Sequence, residues 1–129
     1  MQIGFIGVGA MGGGLARNLI RAGKSVLIYD INAAMVEKTL AAGTTGKAVQ
    51  NAADLAGCDL VFTSLPLPAH LQETMLGDAG LLAKMNPGAV YIDVSTIDPG
   101  TARELEAAAK EKSIGFLECP LCKTPAQDE

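Results

Sequence analysis

Three glycines near the start of the chain have the spacing of a phosphate-binding turn. Gly7, Gly9 and Gly12 form GxGxxG directly after an apolar run and at the start of a segment with helical period. The first glycine permits a tight turn, the second lets the backbone approach a pyrophosphate, and the third lets helix and strand pack closely. The helix N-terminus then faces the negative charge. A glycine-rich turn in any α/β protein can have a similar sequence. The position between a predicted strand and a predicted helix nevertheless favours a dinucleotide site, formed by Gly7, Val8, Gly9, Ala10, Met11 and Gly12.

An acidic residue stands where the ribose of such a cofactor is expected. Asp30 ends the second predicted strand, 18 residues after Gly12. A carboxylate there hydrogen-bonds the two ribose hydroxyls of NAD and repels the 2′-phosphate of NADP. Asn32 is a further cofactor-binding candidate and accommodates either cofactor. The alternative is that Asp30 or Asn32 caps the helix that begins at Ala33.

Short apolar runs alternate with longer segments of helical period, which is typical of repeated βα units around a parallel sheet. The pattern predicts an α/β fold, a three-layer Rossmann domain with a six-stranded, mostly parallel doubly wound sheet. The predicted strands are Gln2–Ile6, Ser25–Tyr29, Gly46–Val49, Leu60–Ser64, Val90–Val94 and Gly115–Leu117.

The helices between these strands have recognisable starts and ends. The first is expected to end at Gly23 and to bury one face, formed by Met11, Leu15, Ala16, Leu19 and Ile20. Further helices are predicted near 33–42, 51–55 and 68–85, the last broken by glycines at 77 and 80. The final helix runs to about residue 112, with Asp98 as its cap, Pro99 at its first position, and Ala102, Leu105 and Ala109 facing inward.

Composition limits the functional class. The 129 residues suit one domain, and the net charge of −4 is scattered without a basic run. Nucleic acid and membrane are therefore unfavoured partners, and no apolar run is long enough to span a bilayer. The odd set Cys58, Cys119 and Cys122 lacks disulfide-framework spacing and favours a reducing compartment, so we expect a cytoplasmic protein. A redox or zinc role for the CxxC at 119–122 is disfavoured by its context and by the lack of further ligands at standard spacing, and no metal site is expected.

Four motifs in this order resemble the β-hydroxyacid dehydrogenase family, which includes 3-hydroxyisobutyrate dehydrogenase. They are GFIGVGAMGGGLARNL at 4–19, SLPLPAHL at 64–71, YIDVSTIDPGTARELE at 91–106 and FLECPLCKTPA at 116–126. The resemblance implies that Leu65, Pro66 and Leu67 lie along the cofactor. It also implies that Thr96 meets the nicotinamide ribose and that Ser95 contacts substrate. Without the family resemblance, residues 65–67 would be interpreted as a proline turn, and the hydroxyls of Ser95 and Thr96 as loop or helix-capping groups.

The last motif departs from the family pattern. Most members read Asp-Ala-Pro-Val-Ser-Gly-Gly, where this chain has Glu118 to Thr124 with the proline kept. Cys122, Lys123 and Thr124 are therefore predicted to contact a substrate with an additional anion or a bulkier polar end. A branch resembling sulfolactaldehyde reductase also places a basic and a hydroxyl residue here. The alternative for Lys123 is a solvated surface side chain.

The family's catalytic lysine belongs to a second, helical domain. The resemblance therefore implies that 1–122 is the NAD-binding domain and 123–129 begins the connection to that domain. No catalytic residue is expected in this chain, and Lys110, Lys112 and Lys123 lie outside the catalytic motif.

The expected parent is an NAD-dependent dehydrogenase of a small anionic hydroxy acid, homo-oligomeric at full length, and this chain alone is expected to be inactive. The alternatives are a stand-alone NAD(H)-sensing module and, less favoured, a structural nucleotide-binding domain. The surface after the fifth and sixth strands is expected to expose an apolar patch and to self-associate.

Overall fold

The computed structural model describes residues 1–8, 10–65, 68–77, 80–94 and 98–118, with only the backbone of residues 10, 11 and 68. The strands it contains are β1 (Gln2–Ile6), β2 (Ser25–Tyr29), β3 (Gly46–Ala48), β4 (Leu60–Thr63), β5 (Val90–Asp93) and β6 (Gly115–Glu118). The helices are α1 (Ala10–Arg21), α2 (Ala33–Leu40), α3 (Pro68–Met75) and α4 (Pro99–Glu111), with short 3-10 turns at Ala52–Leu55 and Leu81–Ala83.

The six strands form one sheet in the order β3-β2-β1-β4-β5-β6. All five strand pairings are parallel, which confirms the predicted doubly wound fold. The strand order reverses between β1 and β4. In open parallel sheets, ligands bind in the crevice at the carboxyl ends of the strands on either side of such a reversal.

Apolar side chains cover both faces of the sheet. On one face, Leu71 of α3 and Leu105 of α4 pack over Val61 and Tyr91. On the other, α1 and α2 cover the rings of Phe5 and Phe62, which stack with their centroids 4.7 Å apart. Both faces of the central strands are therefore buried, as the continuous apolar runs of a parallel sheet require.

The buried stripe of α1 differs from the predicted one. Ala16 and Ile20 are fully buried, whereas Leu15 and Leu19 are half-buried at the margin of the core. Ala16 and Ile20 belong to the apolar cluster that includes Ile3 of β1 and Ile28 of β2, so the side of α1 that carries them faces the sheet. The helix ends at Arg21, and Gly23 follows with a left-handed φ of +84°, the helix-stopping role predicted for it.

Element boundaries also differ from the predictions in small ways. The 68–85 segment is a helix followed by a 3-10 turn, with Gly77 at a φ of +82° after the helix. Helix α2 stops two residues early, at Leu40, and β6 runs one residue further, to Glu118. The predicted start of α4 is confirmed, since Asp98 caps it and Pro99 is its first residue. No helix among the described residues has the length and apolar character needed to cross a bilayer.

Candidate functional site

The turn after β1 is shaped by glycines. Gly7 has a φ of +88°, and its N–H donates to the Tyr29 carbonyl at 2.9 Å. A Cβ at Gly12 would lie 2.6 Å from both the Gly7 carbonyl oxygen and the Ser64 Cβ. Only the absence of a side chain at Gly12 therefore lets α1 begin this close to β1 and β4.

Asp30 connects this turn to the end of β2. Its half-buried carboxylate accepts the Val8 N–H at 2.8 Å through Oδ2 and the Asn32 N–H at 2.9 Å through Oδ1. Each oxygen thus has one backbone donor, and a carboxylate oxygen accommodates more than one. These two bonds orient the carboxylate at the carboxyl edge of the sheet, where its oxygens can accept a further hydrogen bond from a ligand hydroxyl.

Asn32 and Asp30 have separate roles in the local structure. The Asn32 side chain accepts the Met35 N–H at 3.2 Å and is the N-cap of α2. Asp30 is therefore not the cap of that helix, and the capping alternative applies to Asn32. A ligand contact by Asn32 stays a prediction, and its side-chain oxygen is already engaged by the helix.

A cleft of about 250 Å³ opens beside Asp30. Its walls combine the ends of β1 and β2 with Leu65 and one side of α3. Ile31 is 91% exposed, so this cleft has an apolar side chain displayed at its mouth. The lining consists of Ile6, Gly7, Tyr29, Asp30, Ile31, Leu65, His70, Glu73 and Thr74.

Sequence reasoning missed part of this cleft. His70, Glu73 and Thr74 have the i, i+3, i+4 spacing that places residues on one side of a helix, and that spacing was the available signal. Ile31 had none, because an exposed apolar residue after a strand is unremarkable until its neighbours are known. Both Asp30 and Glu73 carry negative charge, and no Lys or Arg is among the described lining residues.

A second polar group lies at the ends of β4 and β5. Thr63 Oγ1 donates to Asp93 Oδ1 at 2.9 Å and lies 2.8 Å from the Tyr91 hydroxyl oxygen. All three residues are fully buried. Burial raises the pKa of the Tyr91 hydroxyl far above its ordinary range; the bond with Thr63 lowers that pKa and the negative charge of Asp93 raises it further. Tyr91 is therefore a neutral hydroxyl.

The structure brings together part of the predicted site. Gly7, Asp30 and Leu65 line one cleft, Val8 is bonded to Asp30, and the backbone of Ala10 and Met11 opens α1. Gly12 and Asn32 are placed as described above. Eight further predicted residues lie outside the described part of the chain: Gly9, Pro66, Leu67, Ser95, Thr96, Cys122, Lys123 and Thr124. Within the described ranges, His, Cys, Asp and Glu side chains form no group of three that could hold a metal ion.

Comparisons with known proteins converge on one kind of domain. A family described as the NAD-binding domain of 6-phosphogluconate dehydrogenase matches residues 2–126. An NAD-dependent L-serine dehydrogenase of Pseudomonas aeruginosa is 39% identical over 93% of this chain and 40% of its own length. A 3-hydroxyisobutyrate dehydrogenase of the same organism is 37% identical over 93% of this chain and 40% of its own.

Solved structures agree with the sequence relatives. The 3-hydroxyisobutyrate dehydrogenase of Mycobacterium tuberculosis superposes with a TM-score of 0.81 at 30% identity, over 92% of this chain and 40% of that one. The present chain thus spans about 40% of the length of the curated relatives it matches.

Proposed function

We propose that this chain, which belongs to the family of NAD-binding domains of 6-phosphogluconate dehydrogenase, is the cofactor half of an oxidoreductase that moves a hydride between NAD and a small β-hydroxy acid. The resemblance to β-hydroxyacid dehydrogenases expected from the four motifs is confirmed by the dehydrogenases that match nearly the whole chain. The relatives' names place 3-hydroxyisobutyrate and L-serine, both small β-hydroxy acids, among the substrates to test first.

The observation that carries the proposal is the Asp30 carboxylate. It lies at the carboxyl end of β2, is oriented by the Val8 N–H, and borders the cleft beside the glycine turn. A ribose placed there offers two hydroxyl donors to an acceptor that is already in position. The apolar side chains of Ile31 and Leu65 offer the adjacent surface on which an adenine ring packs.

The same geometry supports NAD over NADP. A 2′-phosphate would approach Asp30 in a cleft that Glu73 also lines, and no Lys or Arg in the described lining compensates. At the short separation of a direct contact, we expect this repulsion to weaken NADP binding about tenfold or more relative to NAD.

The remaining predicted contacts are part of the proposal. Thr96, Pro66 and Leu67 would contact the nicotinamide half, and Ser95, Cys122, Lys123 and Thr124 the substrate. Catalysis would use a lysine of a following helical domain that 123–129 lead into, so this chain alone is proposed to bind cofactor without turnover. The relatives' greater length supports that domain division. Residues that extend the reading frame to about the relatives' length are expected, and sequencing the whole gene tests this.

The parent enzyme is proposed to be a homo-oligomer of the cytoplasm. The three cysteines of the 129-residue chain lack disulfide-framework spacing, which supports a reducing compartment. Leu117 on the edge strand β6 is 57% exposed, which supports the expected self-association through this side of the sheet. Sedimentation of the 129-residue chain at millimolar concentration tests this self-association, and a single monomeric species at that concentration would contradict it.

Calorimetric titration of the 129-residue chain with NAD, NADP and ADP-ribose tests cofactor binding. We expect NAD and ADP-ribose to bind and NADP to bind more weakly. Asp30→Asn keeps an acceptor for the Val8 N–H but removes the charge, so the NAD-over-NADP preference should shrink. Asp59→Asn, the same charge change at the opposite edge of the sheet, should leave it intact.

The outcomes separate the claims. A chain that binds neither NAD nor ADP-ribose refutes the proposed function. Equal affinity for NAD and NADP in the unaltered chain refutes the role of Asp30 alone.

A further inference from the structure

One wall of the cleft beside Asp30 is a polar side of α3 that has no cofactor contact in the function proposed above. His70, Glu73 and Thr74 line the cleft, and their spacing places them on one side of the helix. The opposite side of α3 carries Leu71 and Met75, which are fully buried in the core. Burial of that side fixes the rotation of α3, so the polar side belongs to the cleft in the folded chain.

The size of the cleft suits one part of a dinucleotide. Its volume of about 250 Å³ is below the roughly 300–1,000 Å³ of pockets that enclose a whole small-molecule ligand. With the ribose hydroxyls at Asp30, the attached base is the part of the cofactor nearest to the cleft. A purine is apolar on its faces and polar around its edge. When its faces pack on Ile31 and Leu65, its edge is left to the polar side of α3.

The three polar side chains of this wall differ in the groups they can bind. The Thr74 hydroxyl and a neutral His70 imidazole can each donate and accept a hydrogen bond. Glu73 is exposed to solvent, so at neutral pH its side chain is a carboxylate, which only accepts. Among the described residues, no hydrogen bond or ion pair engages this carboxylate, whereas Glu104 of the adjacent α4 accepts from Gln72 Nε2 at 2.7 Å. Glu73 is therefore the group on this wall that distinguishes a donor from an acceptor.

We propose that Glu73 is a specificity-determining residue whose carboxylate accepts a hydrogen bond from the 6-amino group of adenine, so that the cleft selects an adenine dinucleotide over one with a 6-oxo purine; this rests on the proposed function. The amino group offers two N–H donors at that position. Hypoxanthine has a carbonyl oxygen there instead, which a carboxylate repels. A carboxylate that approached the neighbouring N1–H of hypoxanthine would still lie close to that oxygen.

Binding of two dinucleotides to the 129-residue chain at pH 7 tests the inference. They are NAD and nicotinamide hypoxanthine dinucleotide, which differ in the 6-substituent of the purine and in the proton on the adjacent ring nitrogen. We expect the dissociation constant of the hypoxanthine dinucleotide to be about fivefold larger. This is the order of one net hydrogen bond, because water competes for the exposed Glu73 carboxylate.

A matched pair of variants assigns the preference to one side chain. Glu73→Gln keeps the length of the side chain, but its amide can donate to a carbonyl oxygen as well as accept, so the ratio of the two dissociation constants should fall to about one. Both dinucleotides carry the same charge at pH 7, so the loss of a negative charge on the protein cancels in this ratio. Glu106→Gln makes the same change at an exposed position of α4 outside the cleft lining, and should keep the ratio of the unaltered chain.

Each result supports or overturns the inference. Equal affinity of the unaltered chain for the two dinucleotides, or tighter binding of the hypoxanthine dinucleotide, overturns it and leaves the proposed function intact, because NAD still binds. A preference for NAD that persists in Glu73→Gln, or that disappears equally in Glu106→Gln, also overturns it. An unaltered chain that binds neither NAD nor ADP-ribose refutes the proposed function itself, and with it this inference.

Discussion

Two glycines in the first turns of α1 provide a matched pair of substitutions. A Cβ added at Gly12 would lie 2.6 Å from the Gly7 carbonyl oxygen and from the Ser64 Cβ. Neither is the end of a flexible side chain, so the helix or the strand must move. A Cβ added at Gly14 meets nothing within 4 Å. The two positions are one half-turn apart on the same helix.

The comparison isolates the cost of the close approach. Glycine to alanine within a helix stabilises a protein by about 0.4–1 kcal/mol when there is room, because it reduces the freedom of the unfolded chain. This gain is common to Gly12→Ala and Gly14→Ala. The difference between the two variants is therefore the overpacking cost at Gly12, which we expect to be about 1–3 kcal/mol.

Urea and thermal denaturation followed by far-ultraviolet circular dichroism measure this difference. Gly14→Ala should melt slightly above the unaltered chain, and Gly12→Ala should melt below Gly14→Ala by about 3–12 °C for a domain of this size. Gly12→Ala should also bind ADP-ribose more weakly, because α1 is displaced from the glycine turn. If Gly12→Ala proved as stable as Gly14→Ala, the reasoning that Gly12 sets the distance between α1 and the sheet would be wrong.

Three further outcomes follow from the site and its supports. Asp98→Ala should lower the melting temperature at neutral pH by removing the cap of α4. Hydrogen bonds from Thr101 lower the pKa of Asp98 in the folded chain, so the stabilisation by its carboxylate is present above the pKa of an unfolded aspartate. The difference in melting temperature between the unaltered chain and Asp98→Ala should therefore disappear as the pH falls through the lowered pKa of the folded state. Burial, with the negative charge of Asp59, raises the pKa of Cys58 to about 11; iodoacetamide at pH 8 should label it only after unfolding, and peptide mapping that finds it labelled in the native chain contradicts this. In the full-length parent, Lys123→Ala should weaken binding of anionic hydroxy acids, and unchanged affinity for every such acid tested would reject the proposed substrate contact.

Much of the fold was predictable because its signals are local. Each strand of a doubly wound sheet is an apolar run bounded by polar turns, and parallel pairing requires the connecting helices that the periodicity indicates. The start of α4 is decided by a capping aspartate and a proline within two residues. The glycine turn is likewise a local constraint, since its spacing and a left-handed φ at Gly7 are both properties of a few consecutive residues.

Contacts between distant segments depended on the tertiary structure. Asn32 rather than Asp30 caps α2, because the Asp30 carboxylate is engaged by Val8, 22 residues earlier in the chain. The buried face of α1 follows from its packing against β1, β2 and α2, which the pattern within the helix does not specify.

The two polar groups at the carboxyl edge illustrate the same division. The sequence by itself determined that an acidic residue, Asp30, directly follows the second strand and comes after a glycine turn, and this spacing is what predicts a ribose contact there. It did not determine that Thr63 and Asp93, 30 residues apart, are paired in the register of β4 and β5 and share a hydrogen bond. Register is a property of the assembled sheet, and it brings the Thr63 and Asp93 side chains together at the carboxyl ends of β4 and β5.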